Sequence, residues 1–213
     1  MLWTEKYRPS KLSDIAGQEH FVLDAEQWVL ENNMPNVLAY GMQGTGKTGA
    51  AIALAKSMLG DTFKDNFFEV NASDDRRLET VRTTIKQVAQ SGTLGDAPFR
   101  IMLLDEMDGM TSDAQNALKR IMERYANNIR FIITCNDKSR IIFPLQSRCA
   151  NYRFNPLKNE IVLEVIKNIL DKEQVEGFAD EDLARFIYDL DGDLRRAITE
   201  IQAAKASNFT LRK

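Results

Sequence analysis

The chain has 213 residues, 44% of them hydrophobic and 28% charged, with a formal net charge of −3 at pH 7. That composition suits a folded protein with one sizeable core and a smaller unit, and it argues against disorder. The charge argues against a bulk electrostatic hold on nucleic acid, no apolar run reaches the roughly 20 residues that span a bilayer, and the N-terminus MLWTEKYRPS is charged where a signal peptide needs an apolar stretch. An intracellular protein with no membrane partner is expected.

In chain order, short apolar runs alternate with amphipathic segments: NVLAYG, KTGAAIALAKSML, FFEVNA, RLETVRTTIKQVAQ, FRIMLLDE, TSDAQNALKRIMERYA and IRFIITCN. Continuous apolar runs of strand length between longer helical patterns predict a buried parallel sheet with helices on both faces. A fifth short run, CANYRF, follows. After Pro156 the pattern is helical alone, over residues 158–172, 180–190 and 194–206. In the first of these Ile161, Val165, Ile166 and Ile169 recur at helical spacing and give one apolar face. The predicted class is α/β, with a sheet-bearing core over residues 1–155 and a small all-α unit over 156–213. Repeats, low-complexity segments and a Gly/Ser linker are absent from the sequence.

Between the first strand and an Ala-rich helix stands GMQGTGKT, Gly41 to Thr48, which fits G-x-x-x-x-G-K-[ST]. The glycines Gly41, Gly44 and Gly46, with Thr45, let backbone amides turn inward around phosphate oxygens, and the helix N-terminus adds its positive dipole end. Lys47 reaches the outer phosphates of such a ligand and Thr48 offers a hydroxyl to magnesium. The flanking strand and helix separate this reading from a Gly-rich turn with a solvated lysine.

The third strand runs into two acids, IMLLDEMD. A carboxylate at the end of a strand beside a phosphate loop suits magnesium, which is the role for Asp105. Glu106, not committed to the metal, can polarise an attacking water, so the pair points to hydrolysis rather than nucleotide storage. Taken without the loop, two such acids read as solvation or helix capping. The fourth strand ends FIITCN. Asn136 is either an amide that hydrogen-bonds the attacking water or the γ-phosphate, or a turn-former in CND.

Cys135 and Cys149 are the two cysteines, far apart and without zinc or disulfide spacing, and both read as small packed side chains. The single histidine, His20, has no second candidate ligand and reads as a surface or capping residue.

Several blocks agree at once: WTEKYRPSKLSDIAGQ, GMQGTGKT, VNASDDRR, LLDEMD, ANNIRFIITCN, PLQSRC and DGDLRRA. Together they resemble the small subunits of replication factor C, the archaeal and eukaryotic clamp loader, which are AAA+ ATPases; the resemblance covers nearly the whole chain. It implies a P-loop AAA+ core with a five-stranded parallel sheet, followed by a helical lid. It also implies ATP and Mg2+ as ligands. Tyr7, Arg8 and Pro9, with Ile15 and Gln18, would lie near the adenine and ribose. Asn136 would be a first sensor of the phosphates, and Arg195 a second, reaching from the lid. Arg148 in SRC would be an arginine finger acting in the site of a neighbouring subunit, where a guanidinium neutralises charge on the transferring phosphoryl group.

The implied partners are other clamp-loader subunits in a ring or spiral, a sliding clamp and the phosphate backbone of primer-template DNA. The DNA-contact candidates are Arg76, Arg77 and Arg82, with Lys119 on the following helix. Such contacts follow backbone geometry and carry little sequence preference. Leu94 in AQSGTLGDAPF is the clamp-contact candidate, as a short apolar plug; folding back onto the core is the other reading. The implied setting is cytoplasmic for an archaeal or viral source and nuclear for a eukaryotic one.

The departures from the family pattern are local. Met42 and Gln43 stand where two prolines are common, DEMD replaces DEAD with both acids kept, and Arg77 stands where a glycine is common. The family continues into a helical collar domain after the lid, so the sequence is expected to be a piece of a longer subunit. Two other readings remain open at this stage: a scaffolding or regulatory clamp-loader subunit with little turnover of its own, and another AAA+ DNA motor such as a branch-migration helicase.

Overall fold

The computed structural model describes residues 1–72 and 78–206, and side chains are described outside residues 78–82 and 206. Five strands form one sheet: β1 (Val37–Tyr40), β2 (Phe67–Asn71), β3 (Arg100–Asp105), β4 (Ile129–Cys135) and β5 (Ala150–Arg153). Their order is β2-β3-β4-β1-β5 and every neighbouring pair is parallel.

The helices are α1 (Trp3–Lys6), α2 (Glu19–Leu30), α3 (Lys47–Leu59), α4 (Phe63–Asn66), α5 (Leu78–Gln90), α6 (Ser112–Arg124), α7 (Phe143–Gln146), α8 (Asn159–Lys172), α9 (Asp180–Tyr188) and α10 (Leu194–Ala206). The central strands β1, β3 and β4 read as nearly continuous apolar runs because both faces of the sheet are covered there, whereas the edge strands β2 and β5 mix half-buried and exposed residues. In β3, Ile101 and Leu103 enter the cluster that holds Phe21 and Ala25 of α2 and Ala50, Ile52 and Leu54 of α3. Met102 and Leu104 point the other way, to Ile85 of α5 and Leu118 of α6. All four β3 side chains are 0% exposed, and burying each stabilises the fold by about 2 kcal/mol.

The strand register places the chemistry at one edge. Tyr40 lies beside Cys135, Leu104 beside Ile133 and Asn71 beside Asp105. The residues that follow β1, β3 and β4 therefore emerge together at the carboxyl end of the sheet, where open α/β sheets hold their ligands.

Helices α8 to α10 build their own apolar cluster from Leu157, Val162, Ile166, Ile169, Leu183, Ile187 and Ile201. The apolar face of α8 is turned by about one residue from the sequence expectation. Val162, Ile166, Ile169 and Leu170 are its buried residues, while Ile161 and Val165 are half-buried. Ile161 has a separate task, since its Cδ1 would lie 3.2 Å from a Cβ placed at Gly17 of the sheet-bearing part. The N-terminus joins this cluster as well: Trp3, 4% exposed, packs among the lid helices, and its backbone N–H donates to Gln202 Oε1 at 2.9 Å. Residues 3–7, read from sequence with the core, are thus carried by the helical unit.

Candidate nucleotide site

The loop between β1 and α3 leaves the sheet through two close approaches. Gly41 has φ +149°, and a Cβ there would sit 2.2 Å from the carbonyl oxygen of Phe154. Gly44 has φ +76°, and a Cβ there would meet the Asp193 carboxylate of the lid at 1.8 Å. A side chain at either place would displace β5 or the start of α10. Gly46 is the N-cap of α3, so the helix N-terminus opens directly onto the loop.

Lys47 follows, 8% exposed, and its Nζ donates to Gly41 O at 2.8 Å, Met42 O at 2.7 Å and Asn136 Oδ1 at 3.0 Å. Burial pushes its ammonium group below the usual lysine range. Next to it Thr48 Oγ1 donates to Asp105 Oδ1 at 3.0 Å and Oδ2 at 3.2 Å. A hydroxyl and a carboxylate side by side at the head of the loop form a hard, all-oxygen donor set that fits magnesium beside phosphates. Glu106 is exposed at the same edge, in the left-handed region with φ +55°. Among the described residues no cluster of three or more His, Cys, Asp or Glu side chains suits a metal held by protein alone.

These groups line one pocket of about 470 Å³. Gly44, Gly46, Lys47 and Thr48 form its floor, and Asp105, Glu106 and Asn136 one side. Arg195 enters from the first turn of α10 with Leu194 and Ile198, and Tyr7, Arg8 and Pro9 close the far wall with Thr4 and Glu5. The Tyr7 hydroxyl donates to Glu173 Oε1 at 2.7 Å, and Arg8 pairs with Glu5 at 2.6 Å.

Other expected residues lie elsewhere. Ile15 packs half-buried against the core, and Gln18 is 1% exposed beneath the loop, where its Nε2 donates to Asn155 O at 2.9 Å and Thr45 O at 3.5 Å. Neither lines the pocket; the position just before α2 turns Gln18 inward to tie the loop to the lid connection. Gly41 and Thr45 also stay behind the lining, as a carbonyl acceptor for Lys47 and a buried hydroxyl bonded to Met42 O at 2.9 Å. Arg148 is on the surface outside the pocket, its Nη1 donating to Pro144 O at 2.7 Å and its Nη2 to the Glu123 carboxylate. Cys149 is half-buried against the core, and burial pushes its thiol up to about 12. His20 Nε2 donates to Arg153 O at 3.1 Å.

Leu94 is 55% exposed on a loop whose backbone is pinned from beneath. Asn66, 0% exposed, donates to Leu94 O at 2.8 Å and accepts from Leu94 N at 2.9 Å. Lys119 is half-exposed on α6. Arg76, Arg77 and the side chain of Arg82 lie outside the described residues.

Sequence reading missed three residues here. Thr134 is 1% exposed and donates through Oγ1 to Asp105 Oδ1 while accepting from Glu106 N at 3.2 Å. Asp108 Oδ2 accepts from Asn136 N at 3.3 Å and Asp137 N at 3.4 Å. Asp193 caps α10, accepting from Arg196 N at 2.9 Å, and rests on Gly44. The period-two alternation of β4, which places Thr134 on the same face as Asn136, was a usable signal for the first.

Residues 37–157 match the sequence family described as the ATPase family associated with various cellular activities (AAA). A replication factor C small subunit of Methanococcus maripaludis is 46% identical over 204 residues, covering 96% of this chain and 64% of its own. Another, from Methanothermobacter thermautotrophicus, is 49% identical over 202 residues, covering 95% of this chain and 62% of its own. The chain thus spans slightly under two thirds of these curated relatives. Among solved structures, the RuvB Holliday junction branch migration motor of Thermotoga maritima superposes with a TM-score of 0.77 at 17% identity over 97% of this chain and 68% of that one, a likeness of fold. With the phosphate loop, the strand-end acids and the five-stranded parallel sheet in place, the chain belongs to the AAA family of ATPases.

Proposed function

We propose that this chain is the ATP-binding and ATP-hydrolysing part of a clamp-loader subunit, which uses nucleotide binding and turnover to place a sliding clamp on primer-template DNA. The observation that carries the reading is the meeting of Lys47, the Thr48–Asp105 pair, Glu106 and Asn136 in one pocket that Arg195 enters from the lid. High identity to replication factor C small subunits favours this class over the branch-migration motor, which shares the fold at 17% identity.

In this reading the loop amides and Lys47 hold the β- and γ-phosphates, with the Lys47 ammonium already desolvated and so interacting strongly with anions. Thr48 and Asp105 would hold Mg2+, which supplies charge neutralisation to the phosphates when bound. Glu106 accepts the proton of the water that attacks the γ-phosphorus, as the bond to the bridging oxygen of ADP breaks and phosphate leaves. Asn136, hydrogen-bonded to Lys47 at 3.0 Å, reports the γ-phosphate to β4. Arg195 does the same for the lid, and Arg148 acts in the site of a neighbouring subunit. Tyr7, Arg8 and Pro9 take the base and ribose. Arg76, Arg77, Arg82 and Lys119 contact DNA phosphates, and Leu94 enters a hydrophobic pocket on the clamp.

Two substitutions separate binding from turnover. Lys47→Ala should abolish binding of a fluorescent ATP analogue. Glu106→Gln should retain that binding and lower hydrolysis by about 10²–10⁴-fold, the usual worth of general-base assistance. Wild-type turnover in the assembled subunits should rise on adding sliding clamp and primed DNA. If clamp and primed DNA leave turnover unchanged, the clamp-loading assignment is wrong even though ATP hydrolysis stands.

A further inference from the structure

The carboxylate of Asp105, the last residue of β3, and the backbone N–H of Glu106 after it share one buried hydroxyl on the neighbouring strand as partner. Thr134 is 1% exposed, and its Oγ1 has one proton to give and lone pairs to receive. A carboxylate oxygen only accepts, so the proton goes to Asp105 Oδ1, and a lone pair takes the backbone N–H of Glu106 at 3.2 Å. The same Asp105 oxygen also accepts from Thr48 Oγ1 at 3.0 Å. Thr134 and Thr48 therefore both hold one carboxylate, from β4 and from the start of α3. Glu106 is a non-glycine residue in the left-handed region, a conformation that carries a cost unless its surroundings fix it. The hydrogen bond from its N–H to Thr134 is one such constraint.

We propose that Thr134 is a positioning residue for nucleotide hydrolysis: its hydroxyl sets the rotamer of Asp105 and the backbone turn at Glu106, so that the metal-holding acid and the water-activating acid are fixed by one group. The proposal rests on reading the pocket as a magnesium–nucleotide hydrolysis site. A threonine is suited to this because its methyl group packs in the buried strand while its hydroxyl serves both acids; valine keeps the shape and deletes the hydroxyl. Removing it leaves the Glu106 N–H without that acceptor and Asp105 with one anchor instead of two.

The effect belongs to the metal-dependent part of binding and to turnover. In EDTA, a fluorescent ATP analogue should bind Thr134→Val within about twofold of wild type, since the loop and Lys47 are untouched. When free Mg2+ is titrated, the concentration that half-saturates the metal-dependent gain in affinity should rise about tenfold in Thr134→Val, the scale of one lost buried hydrogen bond. Hydrolysis at saturating Mg2+ should fall by at least a similar factor, while Thr134→Ser should restore both quantities to within about twofold of wild type. Should the valine variant fold poorly, Thr134→Ala is measured in its place, with the serine variant as control.

An unchanged Mg2+ midpoint with unchanged turnover overturns the proposal, as does an equal loss of affinity in EDTA and in Mg2+, which marks a packing role. A wild-type chain that binds no nucleotide removes the underlying reading and the proposal together. A wild type with normal Mg2+-dependent binding, matched by the valine variant, removes the proposal alone.

Discussion

Arg148 and Cys149 are neighbours in the chain with opposite surroundings. The guanidinium reaches solvent and pairs with the Glu123 carboxylate, whereas the thiol lies half-buried against the core. Burial pushes both Cys149 and Cys135 up to about 12. At pH 8 a thiol with that value is ionised to only about one part in ten thousand, and the thiolate is the reactive form. Both cysteines should therefore stay unmodified when the folded protein is mixed with a disulfide reagent such as 5,5′-dithiobis(2-nitrobenzoic acid) at pH 8, and both should react on adding denaturant. Rapid release of one equivalent from the native protein would show that Cys149 is reached from the surface and that its half-burial does not protect it.

At the scale of elements, α1 is four residues long and has almost no stability of its own, since a helix that short forms no more than a nucleus. It holds because Trp3 is buried among the lid helices and because Glu173, just past the end of α8, gathers Lys6 at 2.5 Å, the Tyr7 hydroxyl at 2.7 Å and Lys205 at 3.5 Å. The hydrogen bond from Lys6, then that from Tyr7, hold the Glu173 carboxyl well below the usual range, at about 2. A carboxyl depressed in the folded state stabilises it above the unfolded value, and that contribution is lost as pH falls from near 4.5 toward 2. In a Trp28→Phe background, where Trp3 is the remaining tryptophan, its fluorescence should change through this window, and Glu173→Gln should remove the transition. A transition that survives in the glutamine variant would place the titrating group elsewhere. This strap also marks the limit of what the sequence discloses. The phosphate loop, the strand-end acids and the five apolar runs were legible because their signals are local: a spacing, a period, a residue at a strand end. WTEKYRP carries no such sign of its partner, because Trp3 meets Gln202 at the other end of the chain. Thr134 looked like one more strand residue, and Gln18, expected beside the base, turns instead under the loop, because the groups that define both are brought by other elements.

For the whole molecule, the decisive separation is between the pocket that holds Lys47 and the surface that presents Arg148. Arg148 lies just after α7, outside the pocket lining, and 77% of Phe143 is exposed on the same short helix. If, as proposed, Arg148 assists hydrolysis in a neighbouring subunit's pocket, a site made of one subunit's acids and its neighbour's arginine should be divisible by mutation. The Glu106→Gln subunit lacks the proposed water-activating acid and keeps the arginine; the Arg148→Ala subunit has the reverse defect. Each alone should form an assembly with little turnover. In an equimolar random mixture, a pocket is complete when it keeps Glu106 and its neighbour keeps Arg148, which happens at about a quarter of the interfaces, so about a quarter of wild-type turnover should return. An arginine working on its own chain's nucleotide predicts a different result, because neither subunit can then repair the other and the mixture stays as inactive as its parts. The measurement is steady-state phosphate release from the mixed full-length subunits. Nucleotide binding is measured in parallel, so that a loss of assembly or of affinity is told apart from a loss of chemistry.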